Sequence, residues 1–161
     1  MHQNKEEILM HYENSVEWVK NLVNLTEEQW RTPIAKGKWT IAEVIGHFPA
    51  WDQVLLEQRL PYLFDGGVLP KGPEVDSLNH QSSLESKVKT KEEVITKFVA
   101  VRRKLIVAIN NIKDELWERK IQINQTKLTI TEYLKGFVEH DEHHFKQIQD
   151  SLNAIDGRTN D

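Results

Sequence analysis

Three of the seven histidines fall between Glu139 and His144, and two of these, His140 and His144, stand four positions apart. On a helix that spacing puts one residue a turn above the other, about 6 Å apart at the backbone, so two imidazoles project to one side. This is the spacing of a metal-ligand pair, and a pair calls for a third ligand. His47 is the candidate. It precedes Pro49, which cannot donate to the carbonyl of Ile45 and so loosens the helix beside the imidazole. Three neutral imidazoles with one position left open form the donor set of a catalytic rather than a structural zinc-type site, where water or substrate completes the shell.

Two carboxylates share the segments that carry these histidines. Asp52 and Asp141 project near the centre of their apolar stripes, where an unpaired charge would be costly. Each is expected either to orient the histidines from behind, with Asp141 also a candidate acid or base, or to be tied up as a buried ion pair, Asp52 with Arg59. Taking about 100° per residue, His144 and His140 lie roughly 40° and 80° from the core centre, whereas His143 lies roughly 140° away and faces solvent. His2, His11 and His80 are read as bystanders. The absence of cysteine excludes disulfides, thiolate metal sites and a cysteine nucleophile.

Positioning these residues requires helices. Apolar residues recur at helical spacing, and Ser/Thr-x-x-Glu/Gln capping boxes occur at Thr26, Thr40, Thr90 and Thr129. The first helix is expected over roughly Asn4 to Asn24, with Ile8, Tyr12, Ser15, Val19, Leu22 and Val23 inward, followed by a short turn from Thr26 to Trp30. The second starts at Thr40 and is closed near Pro61. The third spans about Lys91 to Asn111, and the fourth about Ile130 to Leu152. Lys120 to Ile123 alternates like a strand but is too short to build a sheet. The expected architecture is therefore all-α, one domain over residues 1–161, a four-helix bundle. Its long crossover, Asp65 to Lys89, joins helices two and three, contains a possible short helix from Asp76 to Lys87, and is long enough to serve as a wall or lid over the site.

The two halves of the chain echo each other. Thr40-Ile41-x-Glu43 recurs as Thr129-Ile130-x-Glu132, with Phe48 matching Phe137 and Asp52 matching Asp141 at the same offset. A duplicated helical hairpin accounts for the whole set, with helices two and four related by a pseudo-two-fold axis.

Composition narrows the function classes. A formal charge of -4 and no basic run argue against nucleic acid as a partner. No apolar stretch reaches the roughly 18 residues of a membrane span, and the first residues are charged rather than signal-like, so a cytoplasmic location is expected. Val54 and Trp18 lie outside the main stripes and suggest an apolar strip through which the chain forms a homodimer.

The run Gly37-Lys38-Trp39-Thr40-Ile41-Ala42-Glu43-Val44-Ile45-Gly46-His47, followed later in the chain by His140-Asp141-Glu142-His143-His144, resembles the DinB-like (YfiT-like) superfamily of metal-dependent four-helix proteins. The resemblance covers about residues 5 to 152. It implies a divalent metal ion, nickel or zinc, on His47, His140 and His144. The superfamily includes thiol S-transferases using bacillithiol or mycothiol, a maleylpyruvate isomerase and many proteins of no assigned activity. The leading expectation is a metal-dependent S-transferase acting on a small-molecule substrate with a low-molecular-weight thiol as cosubstrate. The alternatives are a metal-dependent hydrolase, with Asp141 or Glu43 assisting proton transfer, and a non-catalytic metal-binding helical stress-response protein.

Overall fold

The computed structural model describes residues 2–64 and 69–159. Its helices are α1 (Gln3–Asn21), the single-turn α2 (Glu27–Trp30), α3 (Ile41–Gln58), α4 (Val75–Val88), α5 (Lys91–Asn110) and α6 (Ile130–Thr159). The bundle is built from α1, α3, α5 and α6: α5 lies against both α1 and α3, and α1 against α6. Thus the crossover holds a full helix, α4, which packs on the outside of α3. Residues 65–68, where that crossover begins, lie outside the described residues. No described helix is long and apolar enough to cross a membrane.

Capping chemistry sets the entry of both ligand-bearing helices. The Thr40 hydroxyl accepts from the Glu43 amide at 3.2 Å and the Glu43 carboxylate accepts from the Thr40 amide at 3.3 Å. The same reciprocal pair recurs between Thr129 and Glu132, at 3.1 and 3.2 Å. Two backbone donors that a helix start leaves orphaned are satisfied each time, so the internal echo in the sequence is an echo of helix entry.

Three expectations change. Lys120–Ile123 does form a sheet, because Thr126–Thr129 pairs with it antiparallel, Ile121 opposite Leu128, across a turn with Asn124 in the left-handed region at φ 55°. The second strand escapes notice in the sequence because its last residue, Thr129, is also the cap of α6. Val23 is 41% exposed rather than inward. The chain leaves α-helical geometry at Asn21 and tightens into a 3-10 turn over Leu22–Asn24, which rotates Val23 off the stripe. Trp18 and Val54, expected on the surface, are half-buried, Trp18 against Phe145 at 4.6 Å between ring centroids.

The core falls into two apolar clusters. One gathers Tyr12, Leu55, Leu105, Ile109, Trp117, Ile130 and Leu134, the other Val19, Trp30, Ile41, Ile45, Phe48, Phe98 and Ile148. Each bundle helix carries one polar side chain at the junction: Ser15 on α1, Asp52 on α3, Arg102 on α5 and Asp141 on α6, all buried.

Gly46 marks the closest approach of α4 to α3. A Cβ there would stand 1.8 Å from the Ser86 Oγ and 3.0 Å from the Ser86 Cβ. Alanine gains roughly 1 kcal/mol of helix propensity over glycine, but here the clash must push α4 away from the helix that carries His47. We expect Gly46→Ala to lower stability by roughly 1–2 kcal/mol. In a denaturant double-mutant cycle, Ser86→Gly should recover a measurable part of the loss; additive effects would mean that α4 yields freely.

Candidate metal centre

The structure brings His47 of α3 together with His140 and His144 of α6, and one ligand atom from each of the three lies within 4.8 Å of the others. They come from different depths: His47 is buried, His144 half-buried and His140 exposed. His143 is exposed on the outer side of α6.

Hydrogen bonds orient the rings. His47 Nδ1 is bonded to the carbonyl of Val44, and because a carbonyl only accepts, the proton sits on Nδ1 and Nε2 keeps its lone pair. His144 Nδ1 is 2.9 Å from the Gln147 Oε1, which in the same way leaves His144 Nε2 for another partner. That partner is His140 Nε2 at 3.2 Å. Two nitrogens bound about 2.05 Å from one tetrahedral zinc stand about 3.3 Å apart, so the pair already has the edge length of such a shell. All three rings are held neutral. Burial lowers His47 to about 4, with His144 and His140 adding to the effect. Burial also lowers His140 and His144 below the ordinary histidine value. Neutral imidazole is the ligating form, so the donor set fits a divalent cation.

The expected aspartates do not touch these rings. Arg102, 1% exposed, takes both. Its Nε and Nη2 donate to the two Asp52 oxygens at 3.0 Å each, and its Nη1 donates to Asp141 Oδ2 at 2.6 Å and to Ser15 Oγ at 3.2 Å. His11 Nε2 closes on the same Asp141 oxygen at 2.8 Å. Arg59, the partner expected for Asp52, instead donates to the carbonyls of Gln58 and Pro70. Burial raises Asp52 more than Arg102 lowers it, whereas Asp141, also buried, is brought below the usual carboxylate value by Arg102 and His11. The network underlies the site through Phe48, which lies beneath the Arg102 guanidinium at 5.4 Å and meets His47 at 4.6 Å and His144 at 5.7 Å. Glu43, the other carboxylate considered for proton transfer, is engaged by its cap and by the Ser83 hydroxyl.

Sequence reasoning missed Arg102 and His11, although a signal for the first was present. Arg102 stands seven positions from both Ile95 and Ile109, on the stripe that faces the core.

A chamber of about 540 Å³ opens beside the histidines, walled by Trp39, Trp51, Tyr133, Phe137, Val75 and Asn79. Trp39 reaches His47, at 5.1 Å between ring centroids, from a turn in which Gly37 adopts φ 72°. The Trp51 Nε1 donates to the Asn79 Oδ1 at 2.8 Å, tying α3 to α4, so the crossover helix does supply one wall.

Comparison with known proteins places this arrangement. Residues 10–148 match the DinB superfamily. YfiT from Bacillus subtilis, described as a probable metal-dependent hydrolase with an unusual four-helix bundle topology, superposes with a TM-score of 0.74 at 17% identity, covering 94% of this chain and 87% of that one. The mycothiol-dependent maleylpyruvate isomerase superposes with a TM-score of 0.61 at 14% identity over 92% of this chain, which spans only 59% of the isomerase. At these identities the likeness is one of fold. No curated protein matches the chain.

Proposed function

The chain belongs to the DinB superfamily, and on that premise we propose that His47, His140 and His144 hold a zinc or nickel ion and that the chain is an S-transferase joining a low-molecular-weight thiol to a small electrophile. A divalent cation bound there favours the deprotonated, nucleophilic form of a thiol. The observation that carries the reading is the make-up of the chamber. Among the described residues no carboxylate lines it, and Asp52, Asp141 and Glu43 are engaged elsewhere. Hydrolysis draws on a positioned base to take a proton from water, whereas a thiol is acidic enough to arrive as its own nucleophile.

The chain's residues have distinct tasks in this reaction. The Nε2 lone pairs of His47 and His144, fixed by Val44 and Gln147 behind the rings, form the binding face together with the His140 ring. Trp39, Trp51, Tyr133 and Phe137 exclude water around the electrophile. The sulfur donates its electron pair to the electrophilic carbon, the bond from that carbon to its leaving group breaks, and the thiol proton passes to solvent.

Hydrolysis is the second reading, supported by the description of YfiT. One assay separates the two: metal-loaded protein is given one electrophile with and without thiol, and both reagents are followed. Thiol transfer predicts equimolar loss of thiol and electrophile, with little turnover when thiol is left out. Turnover without thiol would move the assignment to a hydrolase. Protein purified without an affinity tag that carries no stoichiometric metal would move it to a non-catalytic helical module.

A further inference from the structure

Gly136 sits in the interior of α6, one turn before His140, where glycine costs a helix about as much as any residue but proline. Packing does not require it: a Cβ at this position would meet nothing within 4 Å, and the open space is the chamber itself. The missing side chain therefore leaves a ledge beside the three histidines. Around it stand four aromatic rings and Val75. The polar groups among the described lining residues are the histidines, the Asn79 amide, the Tyr133 hydroxyl and the Trp39 and Trp51 indole N–H groups. No lysine or arginine lines the chamber among the described residues.

We infer that this chamber takes an uncharged, flat aromatic acceptor, its ring lying on the Gly136 ledge between Trp39, Trp51 and Phe137. The inference deepens the thiol-transfer reading and rests on it for the position of the sulfur. Aromatic faces gain from stacking on a planar ring. In the metal-free chain a carboxylate in the same place would lose its hydration with no lysine or arginine among the described lining residues to replace it.

The test compares 4-nitrotoluene with 4-nitrobenzoate, which share ring and size and differ in charge. Binding to the full chain is followed by quenching of tryptophan emission, in chelator-treated and metal-loaded samples of known metal content. In the chelator-treated chain 4-nitrotoluene should bind at least tenfold more tightly. Gly136→Leu should cost at least tenfold in 4-nitrotoluene affinity with a melting temperature equal to or above wild type. Val75→Arg, at an exposed rim position, should raise 4-nitrobenzoate affinity severalfold. Equal affinity for the two probes, or unchanged 4-nitrotoluene binding by a folded Gly136→Leu protein, overturns the inference. Metal content keeps the failures apart. A chain that holds metal but does not discriminate overturns the acceptor class alone. One that discriminates yet never holds metal overturns thiol transfer and leaves the neutral chamber standing.

Discussion

Replacing His140 with alanine abolishes the rise in melting temperature that the wild-type chain shows when zinc or nickel is added; this is the first expected result. A ligand that binds only the folded state stabilises it by RT ln(1 + [L]/Kd), about 2.7 kcal/mol at a hundredfold excess over Kd. For a chain of this size that is a rise of roughly 5–10 °C. His140 and His144 lie on α6 and His47 on α3, so a shared cation ties two helices that enter through separate capping boxes. His140 is exposed, and its removal opens no cavity, so the metal-free variant should melt close to the metal-free wild type. His143→Ala serves as the control, because its exposed ring lies outside the three-histidine group and should leave the rise intact. A persistent rise in His140→Ala, or its loss in His143→Ala, would reject the ligand set. Calorimetric melting of dialysed protein, with metal content measured on the same samples, decides the matter.

Helical period and capping made much of this arrangement legible. The i, i+4 spacing of His140 and His144 fixes a shared side whatever the tertiary packing, and the boxes at Thr40 and Thr129 fix where α3 and α6 begin. The helix phase that places His143 outside follows from the same two facts. What periodicity cannot supply is the pairing of charges between helices. Helical phase sets Arg102, rather than its neighbours Arg103 and Lys104, on the apolar stripe, but only the meeting of α3, α5 and α6 shows that it lies buried between two carboxylates. His11 was passed over for a related reason: a half-buried imidazole midway along α1 looks ordinary until Asp141 arrives from the far end of the chain. The hairpin after α5 was lost to a conflict of local signals, since Thr129 serves a strand and a helix cap at once.

The largest loss of stability is expected from Arg102, not from the histidines. Asp52 and Asp141 are 7% and 3% exposed and share one guanidinium at the junction of the two apolar clusters. With both carboxylates in place the charges offset each other, and Arg102 is held protonated above its ordinary value, the pull of Asp52 and Asp141 outweighing the effect of burial. Arg102→Met fills much of the same volume but leaves two buried acids, one of them with His11 as its remaining partner. Breaking a buried ion pair from one side costs about 3–5 kcal/mol, a large part of the stability of a single domain. The sign of the pH dependence separates this cause from a packing defect. In the wild type Asp141 titrates below its unfolded value, so its contribution is present at neutral pH and is lost only as pH falls through that lowered value. Without the guanidinium, burial raises both carboxyls above their unfolded values, and each then destabilises the fold as pH rises and it ionises. The deficit of Arg102→Met relative to wild type, measured by urea unfolding, should therefore shrink between pH 7 and pH 5. Adding Asp52→Asn and Asp141→Asn should recover a substantial part of it at pH 7. A deficit that is constant with pH and unrelieved by the two asparagines would mean that Arg102 stabilises through its stacking on Tyr12, Phe48 and Phe98 rather than by holding together the acids of α3 and α6.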